Sequence, residues 1–296
     1  MSQTVSPVSG RPYGLAVVCR IWRLAGLGVD RHRAPAPPTA ARRRGPTGPM
    51  ADNALLAAIR AVIAASPFHG EGHRKIWARL RHAGTRTSLR RVLRLMREKG
   101  LLAPGRVGSP RGPRDHDGTI IPETVDTMGE TDLTTTITGK GQAAVFIAVD
   151  HGSAECVGIH PHTRATRFKA LEPIRQGIRQ YCGGFAKNVA RGLAMRHDHG
   201  SQYMSDHFQQ EIAVLGIESS PAFVRAPEGN GCAARFIRTL KENLLWVRVF
   251  ETVEQLRQAL LAFRETYNTT WLIQRHGFIT PAAFRHKPLS SGAIAA

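Results

Sequence analysis

The spacing of apolar and polar residues changes about 120 residues into this chain. Before that point apolar residues recur every three or four positions, which predicts helices. The predicted helices cover residues 13–33, 52–66, 70–84 and 87–100. Asp52 is the expected cap of the second helix, and Thr87 or Ser88 that of the fourth. Gly84 and Gly100 are expected to end the last two helices.

The fourth predicted helix, "TSLRRVLRLMREKG", carries an apolar stripe and a basic face. The stripe consists of Leu89, Val92, Leu93 and Met96, and the basic face of Arg90, Arg94 and Arg97. Three short helices that end in an arginine face favour a helix-turn-helix unit, whose last helix fits the DNA major groove. A helical hairpin with a solvated basic face gives the same periodicity, so both interpretations stay open.

After residue 120 short apolar runs alternate with helical patterns. Strands are expected over residues 130–138, 143–150, 154–161 and within 193–203, and helices over 171–185, 205–217, 233–246 and 252–268. Ser205 is the expected cap of the second of these helices. Strands followed by alternating helices predict an α/β layer domain.

Two segments rich in Pro, Gly and Arg, 34–49 and 103–122, read as linkers. The predicted organisation is an N-terminal helix and basic linker, a DNA-binding helical region, a second linker, an α/β core and a tail, over residues 1–50, 51–104, 105–122, 123–287 and 288–296.

The charge points to a polyanionic partner, since the formal net charge is +19. Residues 1–118 carry 22 Lys and Arg against 6 Asp and Glu, whereas residues 119–296 carry 19 against 16. A basic half joined to a nearly neutral half is typical of a nucleic-acid-binding module attached to another folded domain. A solvated basic surface or a disordered basic tail is the alternative.

The four cysteines, Cys19, Cys156, Cys182 and Cys232, form no CxxC pair. They are expected to be free thiols in a reducing compartment rather than disulfides or zinc ligands. No apolar run reaches the ~18 residues that a membrane span needs. Arg20 and Arg23 interrupt the first apolar segment, so no signal peptide is expected and the predicted location is the cytoplasm.

Asp132 and Asp198 each sit at the end of an expected strand with polar residues after it. Carboxylates at adjacent strand ends can converge, and Mg²⁺ prefers oxygen ligands. Two such metals can stabilise the attacking and leaving oxygens of a phosphoryl displacement. An isolated Asp after a strand is more often a turn or cap residue, so the two acids alone do not decide the function.

The wider pattern is more specific. The segments "TDLTTTIT", "FIAVDHGSAECVGI", "RHDHGSQY", "PEGNGCAARFIRTLKENLLW" and "YNTTWLIQRHGFITPAAF" occur in that order. Together they resemble the DDE insertion-sequence transposases, whose core is similar to retroviral integrases. The stretch "IWARLRHAGTRTSLRRVLRLMREKGLLAP" resembles the helix-turn-helix region of the same family, so the resemblance runs over roughly residues 12–287.

The resemblance implies a ribonuclease-H-like integrase core preceded by an all-α helix-turn-helix region. It implies three carboxylates that bind two Mg²⁺ (or Mn²⁺), cut a DNA strand and join its 3′-hydroxyl to target DNA. Asp132 matches the first acid and Asp198 the second. The third acid, a Glu, is expected after 35 intervening residues, and that position is Ala234. Lys241 matches a residue that contacts DNA.

The helix around Ala234 supports this register. Ala234, Arg238 and Lys241 share one face, whereas Ile237, Leu240 and Leu244 form the expected core stripe. Among the other acids, Glu228 in a loop and Asp150 at a strand end are the candidates to replace the missing Glu, whereas Glu242 is expected to point elsewhere, and no replacement is expected. Gly129 and Glu130 stand where the family usually has Trp and Gly, and Glu130 is expected to add negative charge beside the metals. His197 and His199 flank Asp198 and are expected to support the site or face DNA rather than bind zinc.

The sequence therefore predicts an insertion-sequence transposase whose catalysis is impaired at Ala234. Its expected partners are the element ends and target DNA, with a homo-oligomer forming on that DNA in the bacterial nucleoid and no membrane involved. A non-catalytic transposase derivative that occupies element ends is the alternative, and a nuclease of the same fold is a third interpretation that the helix-turn-helix and C-terminal motifs disfavour.

Overall fold

The computed structural model describes residues 4–23, 50–105, 122, 124–222 and 231–287. The chain divides into two compact units between Thr47 and Gly48. The first unit contains helix α1 (Leu15–Ile21). This helix is shorter than predicted, and residues 24–33 of the prediction lie outside the described part, as does the whole of the predicted linker 34–49. Of the predicted linker 103–122, only 103–105 and 122 are described.

The second unit begins with three helices: α2 (Asp52–Ala65), α3 (His73–His82) and α4 (Leu89–Glu98). Their apolar faces form one buried cluster of Leu55, Ile59, Ile76, Leu80, Val92, Leu95 and Met96. The prediction for α4 was right for Val92 and Met96. Leu95 is buried in place of Leu89 and Leu93, because the face that meets the other two helices is rotated by one position.

The caps of these helices follow from single side chains. Ser88 caps α4 by accepting a hydrogen bond from the Arg91 backbone N–H at 3.2 Å, as predicted. Gly100 follows with φ of +64°, a backbone conformation that favours glycine. The prediction for Asp52 was wrong: Ala51 is the N-cap, and Asp52 lies in the first turn.

A five-stranded sheet follows, with strands β1 (Met128–Thr138), β2 (Gly141–Asp150), β3 (Cys156–His162), β4 (Ala194–His197) and β5 (Glu218–Pro221). The strand order is β3-β2-β1-β4-β5. The first three strands form an antiparallel meander, and β4 and β5 add in parallel to β1. Strand β5 was not predicted, because its sequence, Glu-Ser-Ser-Pro, carries no apolar run.

Strand β2 is buried on both faces, which explains its continuous apolar sequence. On the first face Ala143, Val145, Ile147 and Val149 pack with helices α7 (Gly231–Leu240) and α8 (Val253–Thr270). On the second face Ala144, Phe146 and Ala148 pack with α5 (Arg167–Tyr181) and α6 (Asp206–Val214). The α/β layer prediction is therefore confirmed, and Ser205 caps α6 as expected.

Helix α7 continues into a π-helical turn, Lys241–Leu245. The Trp246 N–H bonds to the Lys241 carbonyl at 2.9 Å, five residues back, so the residues after Lys241 are rotated relative to a regular α-helix. The predicted core stripe of Ile237, Leu240 and Leu244 is buried. A short helix, α9 (Pro281–Arg285), closes the described part of the unit.

The helical region docks on the sheet domain through an aromatic contact. Phe68, which follows α2, is buried in the core of the sheet domain, with its ring 4.7 Å from that of Trp271 and 6.1 Å from that of Phe263. The His69 backbone N–H donates to Asn243 at 2.7 Å, and Arg79 donates to the Thr270 carbonyl at 3.2 Å. Among the described residues, no helix is both long and apolar enough to cross a membrane.

Candidate active site

The sheet topology brings Asp132 and Asp198 together. Asp132 lies within β1, and Asp198 directly follows β4, the parallel neighbour of β1. Asp132 pairs with Ile147 across the antiparallel ladder, so its side chain lies on the face that α7 covers. The carboxylates are close enough that the charge of Asp198 acts on the titration of Asp132.

Burial, and after it the negative charges of Asp198 and Glu130, raise the pKa of Asp132 to about 6. The Leu133 N–H and the cationic Lys241 act in the opposite direction. A carboxyl group at this position is thus costly to ionise without a cation, which is the electrostatic condition under which a metal ion binds favourably.

Both aspartates keep an oxygen for a ligand. Asp132 Oδ1 accepts the Leu133 N–H at 2.7 Å, and Asp198 Oδ1 accepts the Gly200 N–H at 2.8 Å. No residue in the described ranges donates to the Oδ2 atom of either side chain. Two hard oxygen donors with fixed orientation fit a divalent cation such as Mg²⁺.

Helix α7 places Ala234 on its exposed side. Arg238, one turn later, is also exposed, and its Nε lies 2.8 Å from Glu242 Oε1. Lys241, two turns after Ala234, lies close enough to Asp132 to lower the pKa of that carboxyl. The face that carries Ala234 and Lys241 therefore borders the aspartates, with a methyl group at the position where the resemblance expects a carboxylate.

Glu130 lies on the same face of the sheet as Asp132, and buried groups bind its carboxylate there. It is fully buried, and its Oε2 accepts the backbone N–H groups of Cys232 and Ala233 at 3.2 and 3.0 Å. The same oxygen lies 2.5 Å from His151 Nε2. The carboxylate is held at the N-terminus of α7, where the helix dipole favours negative charge. Its charge still acts on Asp132, but the side chain is directed into the protein.

Of the three other acids, two bind other groups in the protein and one lies outside the described residues. Asp150 is opposite Gly129 in the ladder and lies on the far face of the sheet, where it accepts hydrogen bonds from Asp126 and Ser153. Glu242 pairs with Arg238. Glu228 lies outside the described residues.

Gly129 borders a cavity of about 220 Å³ on the far face of the sheet, together with Ile174, Ile178 and Met195. A Cβ at this position, where the resemblance expects a Trp, would lie 2.9 Å from the Met195 methyl carbon, so Met195 would have to move to admit a side chain. Gly129 in place of Trp changes the packing on the far face of the sheet. Glu130 in place of Gly changes the face that carries the aspartates.

Two side chains near Asp198 form a buried support. His197 is buried and bonds to the Asp198 carbonyl and to Ser219 Oγ at 2.7 and 2.9 Å. Burial lowers the pKa of His197, so it is neutral and does not face DNA, in contrast to one expectation for it. Tyr203 is fully buried, and burial together with the charges of Asp132 and Asp198 raises its pKa. A Tyr five residues after an Asp carries no sequence signal for this role.

The arginines of α4 differ in whether their side chains are exposed to solvent or bound to carboxylates. Arg90 and Arg97 are exposed. Arg94, predicted to join them, bonds instead to Asp52 Oδ2 at 2.6 Å and to Glu98 Oε1 at 2.9 Å. Asp52 lies in the first turn of α2, and its carboxylate pairs with Arg91 and Arg94 of α4. Arg94 can contact a phosphate only by exchanging these partners.

Comparison with known proteins agrees with this architecture. An HTH-like domain family matches residues 50–107, and an integrase core domain family matches residues 215–281. Transposase InsD for insertion element IS2A/D/F/H/I/K of Escherichia coli is 25% identical over 202 residues, which cover 66% of this chain and 65% of the relative. InsD of IS2D from Escherichia coli strain K12 matches equally. The match thus spans slightly less than two thirds of these relatives.

The two family matches and the InsD relatives support a DDE-type insertion-sequence transposase. The fold of this chain is the predicted integrase-like core preceded by a helical region. Among solved structures, the chain is similar to the catalytic core of BIV integrase, with 21% identity, a TM-score of 0.42 and coverage of 54% of this chain and 93% of that one. It is also similar to the HTLV-2 integrase core solved with magnesium, with 16% identity, a TM-score of 0.41 and coverage of 55% and 98%.

The matched segments show which parts of the chain carry the similarity. The helix-turn-helix family covers α2 to α4, and the integrase family covers α7, with Ala234 and Lys241, and α8. Asp132 and Asp198 precede the integrase match. Their assignment therefore rests on the motif order and on the geometry described above. Nothing in these comparisons favours the alternative of a non-catalytic derivative.

Proposed function

We propose that this chain is a transposase that cuts and joins DNA strands at Asp132 and Asp198, and that the absence of a carboxylate at Ala234 impairs it. The observation that supports the proposal is the electrostatic interaction of Asp132 with Asp198 and with Lys241, which lies seven residues after Ala234.

Asp132 and Asp198 would hold divalent cations, Mg²⁺ or Mn²⁺, through their Oδ2 atoms. The bound cations supply Lewis acidity that activates water or a DNA 3′-hydroxyl and stabilises the charge of the displaced oxygen. Leu133 and Gly200 orient the carboxylates through their N–H groups. Buried Tyr203 and His197 keep the strand ends rigid beneath them.

DNA would be bound by two groups of cationic side chains. Arg90 and Arg97 extend from α4 toward solvent and can neutralise phosphates or contact guanine edges, and Arg94 would join them after release from its carboxylate partners. Arg238 and Lys241 border the aspartates and would hold the strand that is cut. The element ends and the target are the proposed substrates, bound by a homo-oligomer in the bacterial nucleoid.

The loss at position 234 would be severe. With a methyl group in place of a carboxylate, one cation loses a charged ligand. Glu130 is occupied at the N-terminus of α7, and Asp150 lies on the other face of the sheet. Loss of one member of a catalytic unit commonly costs several orders of magnitude in rate.

The test is strand cleavage and transfer on supercoiled DNA that carries the element's own ends, with Mg²⁺ or Mn²⁺. The unaltered chain is compared with Ala234→Glu and with Ala234→Gln, which has nearly the same shape but no charge. We expect only Ala234→Glu to cut, and a second change of Asp132→Asn to abolish that activity. Equal cutting by the unaltered chain would show that another residue completes the site. No cutting by any variant that binds the ends would favour a purely DNA-binding role.

A further inference from the structure

We propose that Glu130, His151 and Cys232 form a binding site for a buried transition-metal ion, with zinc as the best fit. This site is separate from the aspartate site, and it joins strand β1 to the N-terminus of helix α7. Among the described residues it is the one group of three potential ligands whose donor atoms all lie within 4.8 Å of one another.

The three residues come from distant parts of the sequence and meet inside the protein. Glu130 lies in β1, His151 directly follows β2, and Cys232 is the second residue of α7. Glu130 and His151 are 0% and 1% exposed, and Cys232 is 8% exposed. Buried ionisable groups are costly unless they are paired or coordinate a metal. Three of them at one point therefore need a physical explanation.

The contacts of Glu130 leave one of its two carboxylate oxygens without a partner among the described residues. Glu130 Oε2 accepts from His151 and from two backbone N–H groups. Glu130 Oε1 is buried and has no hydrogen-bonding partner among the described residues. A buried carboxylate oxygen without a partner costs about 1–3 kcal/mol or more. Coordination of a cation would remove this cost.

The donor set favours zinc over magnesium. An imidazole nitrogen, a thiolate sulfur and a carboxylate oxygen are all ligands of Zn²⁺, at roughly 2.0–2.3 Å. Such lengths place tetrahedral ligands roughly 3–4 Å apart. The Glu130–His151 separation of 2.5 Å must open slightly to admit the ion, and the 4.8 Å limit for the set allows the sulfur to close in by a rotation of its side chain.

The metal-free thiol is protonated. Burial and the negative charge of Glu130 raise the pKa of Cys232 to about 12. Binding of a divalent ion would release this proton and leave a site in which one thiolate and one carboxylate balance the two positive charges. Uptake of one ion thus releases the Cys232 proton, and the proton on His151 Nε2 must also leave or move to Nδ1 before that nitrogen can bind the ion.

The site would fix the helix that carries Ala234, Arg238 and Lys241 against the strand that carries Asp132. The ion would be structural, since its three protein ligands are buried. Glu130 and His151 are 21 residues apart, and His151 and Cys232 are 81 apart, so no short sequence motif predicts the site.

The test uses the purified full-length protein, stripped with a chelator and titrated with Co²⁺, which reports its ligands optically. We expect one equivalent to produce a near-ultraviolet thiolate-to-cobalt charge-transfer band, and Zn²⁺ to bleach it. Cys232→Ser should abolish the band and His151→Gln should weaken binding at least tenfold. Cys156→Ser is the matched control, since Cys156 is buried in the same core and is outside the site.

Asp132→Asn with Asp198→Asn should leave the band unchanged, which distinguishes this site from binding at the aspartates. If Cys232→Ser does not fold, the melting temperature of the Asp132→Asn, Asp198→Asn variant gives a second measurement, and Zn²⁺ should raise it whereas Mg²⁺ should not. The absence of a thiolate band in excess Co²⁺, or an identical band in folded Cys232→Ser, would overturn the proposal and leave Glu130 and His151 as a buried pair.

Discussion

Asp132→Asn is expected to stabilise the metal-free protein at neutral pH. The pKa of Asp132 in the folded protein is about 6, against an ordinary value of 3.8. The folded state therefore binds the proton more tightly than the unfolded chain, and the stability contributed by this group falls as the pH rises from about 4 to about 6. Each pH unit corresponds to about 1.4 kcal/mol, so the full cost of ionisation is about 3 kcal/mol.

Solvent that reaches the carboxylate reduces this cost, so we expect Asp132→Asn to raise the free energy of unfolding by ~1–3 kcal/mol at pH 7.5. Urea denaturation with a chelator present measures it. At pH 4 the two proteins should have nearly equal stability, because Asp132 is then largely protonated in the folded state. Mg²⁺ should stabilise the unaltered protein more than the variant, since the variant keeps only one of the two carboxylates, that of Asp198.

Glu265→Gln is the control, since Glu265 is an exposed acid on α8. Its stability should follow that of the unaltered protein at every pH. A variant Asp132→Asn that is equally or less stable at pH 7.5 in the chelator would refute the electrostatic account of the site. A stabilisation of the same size at pH 4 would show that the gain arises from packing rather than from the lost charge.

Two further predictions concern structure and DNA binding. The side chain of Arg285 is 5% exposed, and it bonds to Asp126 at 2.6 Å and to buried Glu155. Arg285→Met should lower the free energy of unfolding by about 3–5 kcal/mol, because it leaves the buried charge of Glu155 without its cationic partner. The exposed pair of Arg257 and Glu254 is its control, and Arg257→Met should leave the urea midpoint unchanged. For DNA, Arg90→Gln and Arg97→Gln should each reduce the slope of log affinity against log salt by about 1. Titrations by fluorescence anisotropy measure this, and an unchanged slope in both variants would remove α4 from the interface.

The regular elements were predictable because their sequences are locally consistent. The apolar run of β2 and the serine caps at Ser88 and Ser205 each specify one structure through short-range contacts. Strand β5 was not predictable in this way, since it is held by parallel pairing to β4 and not by apolar side chains of its own.

The candidate site was only partly predictable for the same reason. Both aspartates were predicted at strand ends, which is right for Asp198, whereas Asp132 lies within β1, and their proximity depends on β4 adding beside β1. The role of Glu130 depends on the direction of its side chain and on the arrival of the α7 N-terminus, which no local pattern contains. Arg94 was expected to face DNA because the interpretation considered one helix at a time, whereas its partner Asp52 belongs to another.

The contact of Phe68 with Trp271 and Phe263 has a consequence for the geometry of DNA cutting. Since the helical region and the sheet domain share one apolar core, the span from α4 to the aspartates is set by the protein. The distance along a bound duplex between the recognised sequence and the cut position would then be fixed. Insertion of five base pairs between the recognised sequence and the cut position would turn the scissile phosphate about half a helical turn away, and recognition would no longer lead to cleavage in the proposed reaction.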